Sequence, residues 1–335
     1  MIKNTGHFCE HPFMYTEFHD AGEYICCPDW NTTLIGSSDN KLENWFSKEA
    51  EDIRNEMLKG NFKNCLPDRC PVLNTFLETG KPTHSIKPLS EFDPKKYNLP
   101  HRFKICKDKP CNLQCPSCRL DFIPNNDRNT KETTQTLQQI EKYYGSELKE
   151  IFLSGGGDPF YSTPIREFFI NFDETKFPAL ENIILHTNGI MWTPKMWEKM
   201  HRIHKFVNRV EISIDAATKD TYENKVRIRG KWDTLMENLK FIASLDSIPH
   251  IATSFVAQKD NYTEMEDFVL MCREIFKNKI DTLHIQFYKI VDWGLNNLDQ
   301  LRPKQVWSEE HPEYSKFRKE VAKLKKYPNV VSNFN

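Results

Sequence analysis

The alternation of apolar and polar positions changes character near residue 100. From residue 102 onward, short runs of period two alternate with longer runs of helical period. The strand-like runs are RFKIC (102–106), EIFLSG (150–155), NIILHTNG (182–189), RVEISIDA (209–216), HIATSFVA (250–257) and TLHIQFYKI (282–290). Between them, TQTLQQIEKYY, MWEKMHRIHKF, WDTLMENLKFIASL and YTEMEDFVLMCREIF carry helical stripes. Six strand-then-helix units predict an α/β fold with parallel strands and right-handed crossovers. Eight units would close a TIM barrel; six predict an open, partial (β/α)6 barrel or a doubly wound sheet.

The strands also sort their side chains. Glu211, Ser213 and Asp215 share one face of their strand, while Val210, Ile212 and Ile214 share the other. Thr282, His284, Gln286 and Tyr288 alternate with Leu283, Ile285 and Phe287 in the same way. With helices on the apolar side, this predicts a polar interior, with His284, Gln286 and Tyr288 as candidate catalytic residues. A solvated face is the plainer alternative.

Before residue 102 the chain reads differently. Residues 1–75 are irregular and cysteine-bearing, with turn signals at CCPDWN and IGSSDN and one helix, KLENWFSKEAEDIRNEMLKG, closed by Gly60. Residues 76–100 hold four prolines and read as a linker to the core at 101–292. Residues 293–335 form an extension with one amphipathic helix over 312–326, expected to pack on the barrel.

Charge excludes more than it assigns. Lys plus Arg number 46 against 47 for Asp plus Glu, a net charge of −1, which argues against a long phosphate footprint. No apolar run approaches a membrane span, and MIKNTGHFCEH lacks the parts of a signal peptide, so a cytoplasmic protein is expected. In a reducing compartment the ten cysteines read as metal ligands or buried thiols rather than disulfides. Cys272, alone on an amphipathic stretch, reads as a buried apolar side chain.

Cys111, Cys115 and Cys118 stand in CNLQCPSC, directly after the first strand, where α/β folds place their chemistry. Soft thiolates in a compact loop suit an iron–sulfur cluster, and three on four irons leave one iron open. A zinc site borrowing Cys106 is the alternative. The C-x₃-C-x₂-C loop resembles the signature of the radical SAM superfamily, and further stations resemble it in order. LSGGGDPF (153–160) is similar to the element that approaches the methionyl amine, which implies Gly156, Gly157 and Asp158. LHTNG (185–189) contributes Asn188, and Ser213 with Asp215 stand where the ribose is recognised. Arg227, in YENKVRIRGKWD, stands where an arginine reaches the carboxylate of S-adenosylmethionine, and Gln258 and Asn261 follow the fifth strand. Ser117 replaces the aromatic residue that many members carry before the third cysteine, leaving backbone contact to adenine. The resemblance implies a [4Fe–4S] cluster whose open iron binds S-adenosylmethionine, reductive cleavage of that cosubstrate, and hydrogen-atom abstraction. An electron donor such as flavodoxin or ferredoxin is implied as a partner.

The segment CEHPFMYTEFHDAGEYICC spaces Cys9, Gly22 and Cys27 as C-x₁₂-G-x₄-C, and CLPDRC adds Cys65 and Cys70. With Gly36, Asn40 and Trp45, it is similar to the SPASM/twitch type of auxiliary cluster domain, here placed before the core. The resemblance implies one auxiliary cluster, of [4Fe–4S] type, on Cys9, Cys27, Cys65 and Cys70. Cys26 is read as a buried thiol facing the other way, and structural zinc on the same four cysteines is the alternative. The substrate is expected to be a peptide or protein, or else a small alcohol or sugar undergoing oxidation or epimerisation. His284 has the type of pKa that proton transfer needs. A non-catalytic iron–sulfur or zinc scaffold is the reading from outside enzymology.

Overall fold

The computed structural model describes residues 2, 4–37, 42–153, 155–292 and 298–334. Asn40 lies outside them, as does the start of the extension at 293–297. The chain divides into two compact units. One comprises residues 1–108, 128–156 and 173–182; the other comprises 109–127, 157–172 and 183–335.

The strands are β1 (His7–Cys9), β2 (Tyr15–His19), β3 (Gly22–Tyr24), β4 (Ile86–Pro88), β5 (Arg102–Ile105), β6 (Glu150–Phe152), β7 (Asn182–Thr187), β8 (Arg209–Ser213), β9 (His250–Ala257), β10 (Leu283–Lys289) and β11 (Val330–Ser332). All six expected runs form strands. In the first unit β6, β5 and β2 run parallel and β3 returns antiparallel to β2. In the second unit β7 through β11 form a parallel series in sequence order. This mostly parallel α/β arrangement is what a partial (β/α)6 barrel requires.

Residues 1–75 and 76–100 are more ordered than their composition suggested. β2 pairs with β5, opposing Glu17 to Lys104 and Phe18 to Ile105. The expected linker carries β4, which pairs with β1, and buries Ile86 in a core with Phe8, Phe13, Met57 and Phe76. Its prolines stiffen a packed segment instead of spacing two domains. Gly22 and Gly36 face each other: Gly22 has φ +144, and a Cβ there would lie 2.1 Å from the Gly36 carbonyl oxygen. Only glycine fits that approach.

In the second unit the apolar halves of the strands are fully buried, with Val210, Ile212, Ile285 and Phe287 at most 1% exposed. The helices Thr163–Ile170, Trp232–Ala243, Met265–Ile275 and Tyr314–Leu324 fill the gaps between strands. Ser162 and Thr193 cap helices whose first turns contain proline, satisfying amides that have no helical partner. The Tyr314–Leu324 helix falls inside the expected 312–326. No described helix is long and apolar enough to cross a membrane.

Candidate functional site

The CNLQCPSC loop belongs to the second unit. Its backbone is pinned by bonds from Cys111 to the Ile123 carbonyl (3.0 Å) and from Gln114 to the Ile228 carbonyl (3.0 Å). All three thiols are free and each faces an N–H donor. Asn188 Nδ2 lies 3.7 Å from Cys111 Sγ, Arg227 Nη1 3.4 Å from Cys115 Sγ, and Arg119 Nη2 3.4 Å from Cys118 Sγ. Burial pushes the Cys111 thiol up to about 12 and raises Cys115, while Arg227 pulls Cys115 back down. Two guanidiniums beside buried sulfurs offset the cost of thiolate charge. Three soft donors, Cys111 and Cys115 buried and Cys118 half-buried, with guanidiniums close by fit an iron–sulfur cluster. Arg119 was not singled out from the sequence; a cation directly after the third cysteine was its only signal.

Asp158 is tied to this loop through its own amide, which donates to the Pro110 carbonyl (3.0 Å). Its carboxylate accepts four bonds: Phe160 N (3.0 Å) and Tyr161 N (3.3 Å) on Oδ1, Thr187 Oγ1 (2.8 Å) and Asn188 N (2.9 Å) on Oδ2. Two lone pairs per oxygen are thereby engaged. Asp158 thus clamps the end of β7 to the cysteine loop, with its carboxyl raised by burial against those donors. Asn188 completes the clamp by donating to Asn112 Oδ1 (2.9 Å). Thr187 and Asn112 were both missed from sequence.

Asp215 and Arg227 form a buried pair, with Nη2 2.9 Å from Oδ2. The geometry is an ion pair without a hydrogen bond, because Oδ2 and Arg227 Nε have no hydrogen-bond partner. Asp215 adopts φ +67, strained for a residue with a Cβ, and is held there by Val256 N on Oδ1 (2.8 Å) and Asn261 Nδ2 on its carbonyl (2.8 Å). Gln258 is fully buried, yet neither side-chain amide atom has a partner. A buried amide left open on both ends points to a ligand that would satisfy it.

The polar strand face exists. Ser213 Oγ shares hydrogen bonds with His186 Nε2 (2.8 Å) and Ser254 Oγ (3.0 Å), while His186 lies 3.7 Å from Glu211. Ser254 is in register with Gln286, and Tyr288 donates to Gln286 Oε1. Burial raises the Tyr288 phenol. His284 is exposed and pairs in register with Ala252, one pleat further than Gln286 from the C-terminal end of β10. His186 and Ser254 extend this face and were not anticipated, although both alternate correctly with the apolar positions of β7 and β9. Ser117 is buried, and Gly156 and Gly157 are partly exposed.

In the first unit one cavity is lined by Cys9, Cys26, Cys65, Cys70 and His11, with Met57, Phe62 and Leu73 among its apolar walls. The lining differs from the expected set of Cys9, Cys27, Cys65 and Cys70 at one place: Cys26 faces this cavity, and Cys27 does not line it. The two are neighbours in bent chain after β3, so their side chains diverge. Burial raises all four cavity thiols, Cys9 to about 12, and lowers His11 to about 4. Four soft donors in an apolar shell fit a thiolate-bound metal group.

Residues 110–272 match the model described as Radical SAM superfamily. A GTP 3',8-cyclase of Clostridium perfringens (strain SM101 / Type A) is 28% identical over 192 residues, covering 56% of this chain and 55% of the relative. An AdoMet-dependent heme synthase of Methanosarcina barkeri is 24% identical over 170 residues, covering 49% and 45%. The chain spans about half the length of the curated relatives it matches. A solved structure, "Native anSMEcpe with bound AdoMet and Cp18Cys peptide", is 18% identical, covers 69% of this chain and 62% of its own, and has a TM-score of 0.41; at that score it carries no argument about function. Residues 110–272 are thus similar to the radical SAM superfamily, and the curated relatives named here are enzymes.

Proposed function

We propose that the chain is a radical SAM enzyme that binds S-adenosylmethionine at a [4Fe–4S] cluster held by Cys111, Cys115 and Cys118. The carrying observation is the loop in which each thiol faces its own N–H donor, two of them guanidiniums. When bound, the cluster and cosubstrate supply one-electron reduction and a radical able to abstract a hydrogen atom. The chain's own residues hold and orient. Arg227, charged and buried between Asp215 and Cys115, is the residue for a carboxylate. Ser213 and Asp215 offer oxygens to hydroxyls, Gln258 offers an unpaired amide, and the glycines at 156 and 157 let backbone approach. Asp158, with its carboxylate engaged, positions the loop instead of touching an amine. Gln286 and Tyr288 are the candidates for facing substrate.

For the auxiliary site we propose one cluster on Cys9, Cys26, Cys65 and Cys70, with Cys26 in place of Cys27. Such a cluster could accept the electron left after hydrogen abstraction, which supports a peptide or protein substrate. The named relatives favour the second reading, a small molecule, since GTP and heme are what their names carry.

The test uses anaerobically reconstituted protein, measuring iron per chain, the reduced EPR spectrum with and without S-adenosylmethionine, and release of 5′-deoxyadenosine. Expected are about eight irons, falling to about four in the Cys111→Ala/Cys115→Ala/Cys118→Ala variant, and a cosubstrate-sensitive spectrum only in the parent. Zinc without iron, and no response to the cosubstrate, would leave the scaffold reading in its place.

A further inference from the structure

A second group of metal-ligating side chains lies in the first unit and is used by none of the chemistry above. Tyr15, Glu17 and His19 project from one face of β2, Lys104 comes from the adjoining β5, and Cys106 follows directly after it. Glu17 is 2% exposed and sits at the centre. Its Oε1 lies 2.9 Å from His19 Nε2, 2.9 Å from Cys106 Sγ and 3.4 Å from Lys104 Nζ, and its Oε2 accepts from Tyr15 at 2.5 Å. One ligand atom each from Glu17, His19 and Cys106 falls within 4.8 Å of the other two. Tetrahedral zinc, with bonds of about 2.0–2.3 Å, needs donors roughly 3.3–3.8 Å apart. Small movements of the side chains bring the three into that range. Gly155 packs against Cys106, where an added Cβ would come within 2.3 Å of Sγ, so the thiol is held from behind.

The geometry points to a mononuclear site for a borderline-soft divalent cation such as Zn²⁺, ligated by Glu17 Oε1, His19 Nε2 and Cys106 Sγ. The donor set of nitrogen, sulfur and one carboxylate is that of zinc rather than of magnesium or calcium. On loading, Cys106 releases its proton to solvent, and carboxylate plus thiolate balance the two charges of the ion. Tyr15 keeps its bond to Oε2 and orients the carboxylate. Lys104, 3.4 Å from Glu17 Oε1, stays beside the site, and a water from its solvent-facing side would complete a four-coordinate shell. His19 is about 30% exposed, so the site is reachable from solvent.

The inference does not depend on the radical SAM reading, because iron content reports the clusters separately. The experiment takes the full chain after cluster reconstitution and titrates it with Zn²⁺, then with Co²⁺ as a spectroscopic probe, in parent, His19→Ala, Cys106→Ser and Tyr15→Phe. Expected is one zinc per chain with a mixed sulfur and nitrogen/oxygen shell by X-ray absorption, and a sulfur-to-cobalt charge-transfer band lost in Cys106→Ser. Affinity should fall at least about a hundredfold in His19→Ala and roughly tenfold in Tyr15→Phe, in line with the 10–100-fold cost of outer-shell changes. His19 ends its strand half-exposed, so unchanged iron content and melting temperature in His19→Ala show that the fold survives. No zinc uptake, an all-sulfur shell, or affinity indifferent to His19→Ala would each overturn the proposal.

Discussion

Glu23 offers the cleanest quantitative test of the first unit. It is fully buried on β3, where Thr16 Oγ1 (2.7 Å), Asn44 Nδ2 (3.1 Å) and Tyr144 OH (3.5 Å) donate to it. Burial outweighs these donors and raises the carboxyl from its ordinary 4.5 to about 7. The folded state therefore holds a proton that the unfolded chain has lost. The stability contributed by the neutral form is fully present below pH 4.5 and is lost as pH rises through 7. At about 1.36 kcal/mol per pH unit, the difference between those two values amounts to about 3 kcal/mol. Glu23→Gln mimics the neutral carboxyl at every pH. Urea denaturation of parent and variant from pH 4.5 to pH 8 should show nearly equal stability at the acid end and a gap opening in favour of the variant toward about 3 kcal/mol at the alkaline end. Parallel profiles across this range would refute the reasoning, because Glu23 would then titrate alike in both states.

Other changes probe the remaining parts. Gly22→Ala must displace the Gly36 carbonyl from a φ that alanine resists, and should cost about 3 kcal/mol or more in thermal or chemical denaturation, while Gly80→Ala, with open space around its Cβ, should cost about 1 kcal/mol. Arg227→Met leaves Asp215 charged and unpaired in a buried site, and a loss of about 3–5 kcal/mol is expected from melting of the apo protein. Gln258→Leu removes two unsatisfied buried atoms. It should leave the apo protein as stable or about 1–2 kcal/mol more so, while weakening S-adenosylmethionine binding by calorimetry. Cys26→Ala should lose the auxiliary irons, whereas Cys27→Ala should keep them, as iron analysis will read.

What the sequence revealed and what it hid divide along one physical line. Strand periodicity is local, so all six core strands were found, and the run 250–257 coincides with β9 at both ends. The cysteine loop was equally legible, because three cysteines within eight residues need no tertiary information to be seen as a group. Partnership between distant side chains was not legible. Nothing near Asp158 announces that Thr187 and Asn188 will engage its carboxylate, and nothing near Glu17 announces Lys104 and Cys106. The position of Asp158 in its motif was visible in the sequence; the four bonds its carboxylate accepts were not.

The adjacent cysteines carry the same lesson into chemistry. Sequence alone could say that Cys26 and Cys27 diverge, since neighbouring side chains in extended chain point apart. It could not say which one meets Cys9, Cys65 and Cys70, because a one-residue shift in how the chain leaves β3 exchanges their surroundings. That choice is made by long-range packing: β3 is fixed against β2, and β2 against β5. The register that turns Cys26 toward the four-thiol cavity also leaves Cys27 within electrostatic reach of Glu17 and Lys104. One strand pairing thus gives two consecutive cysteines different surroundings, and substituting Cys26 should perturb the four-thiol cavity while substituting Cys27 leaves its lining intact.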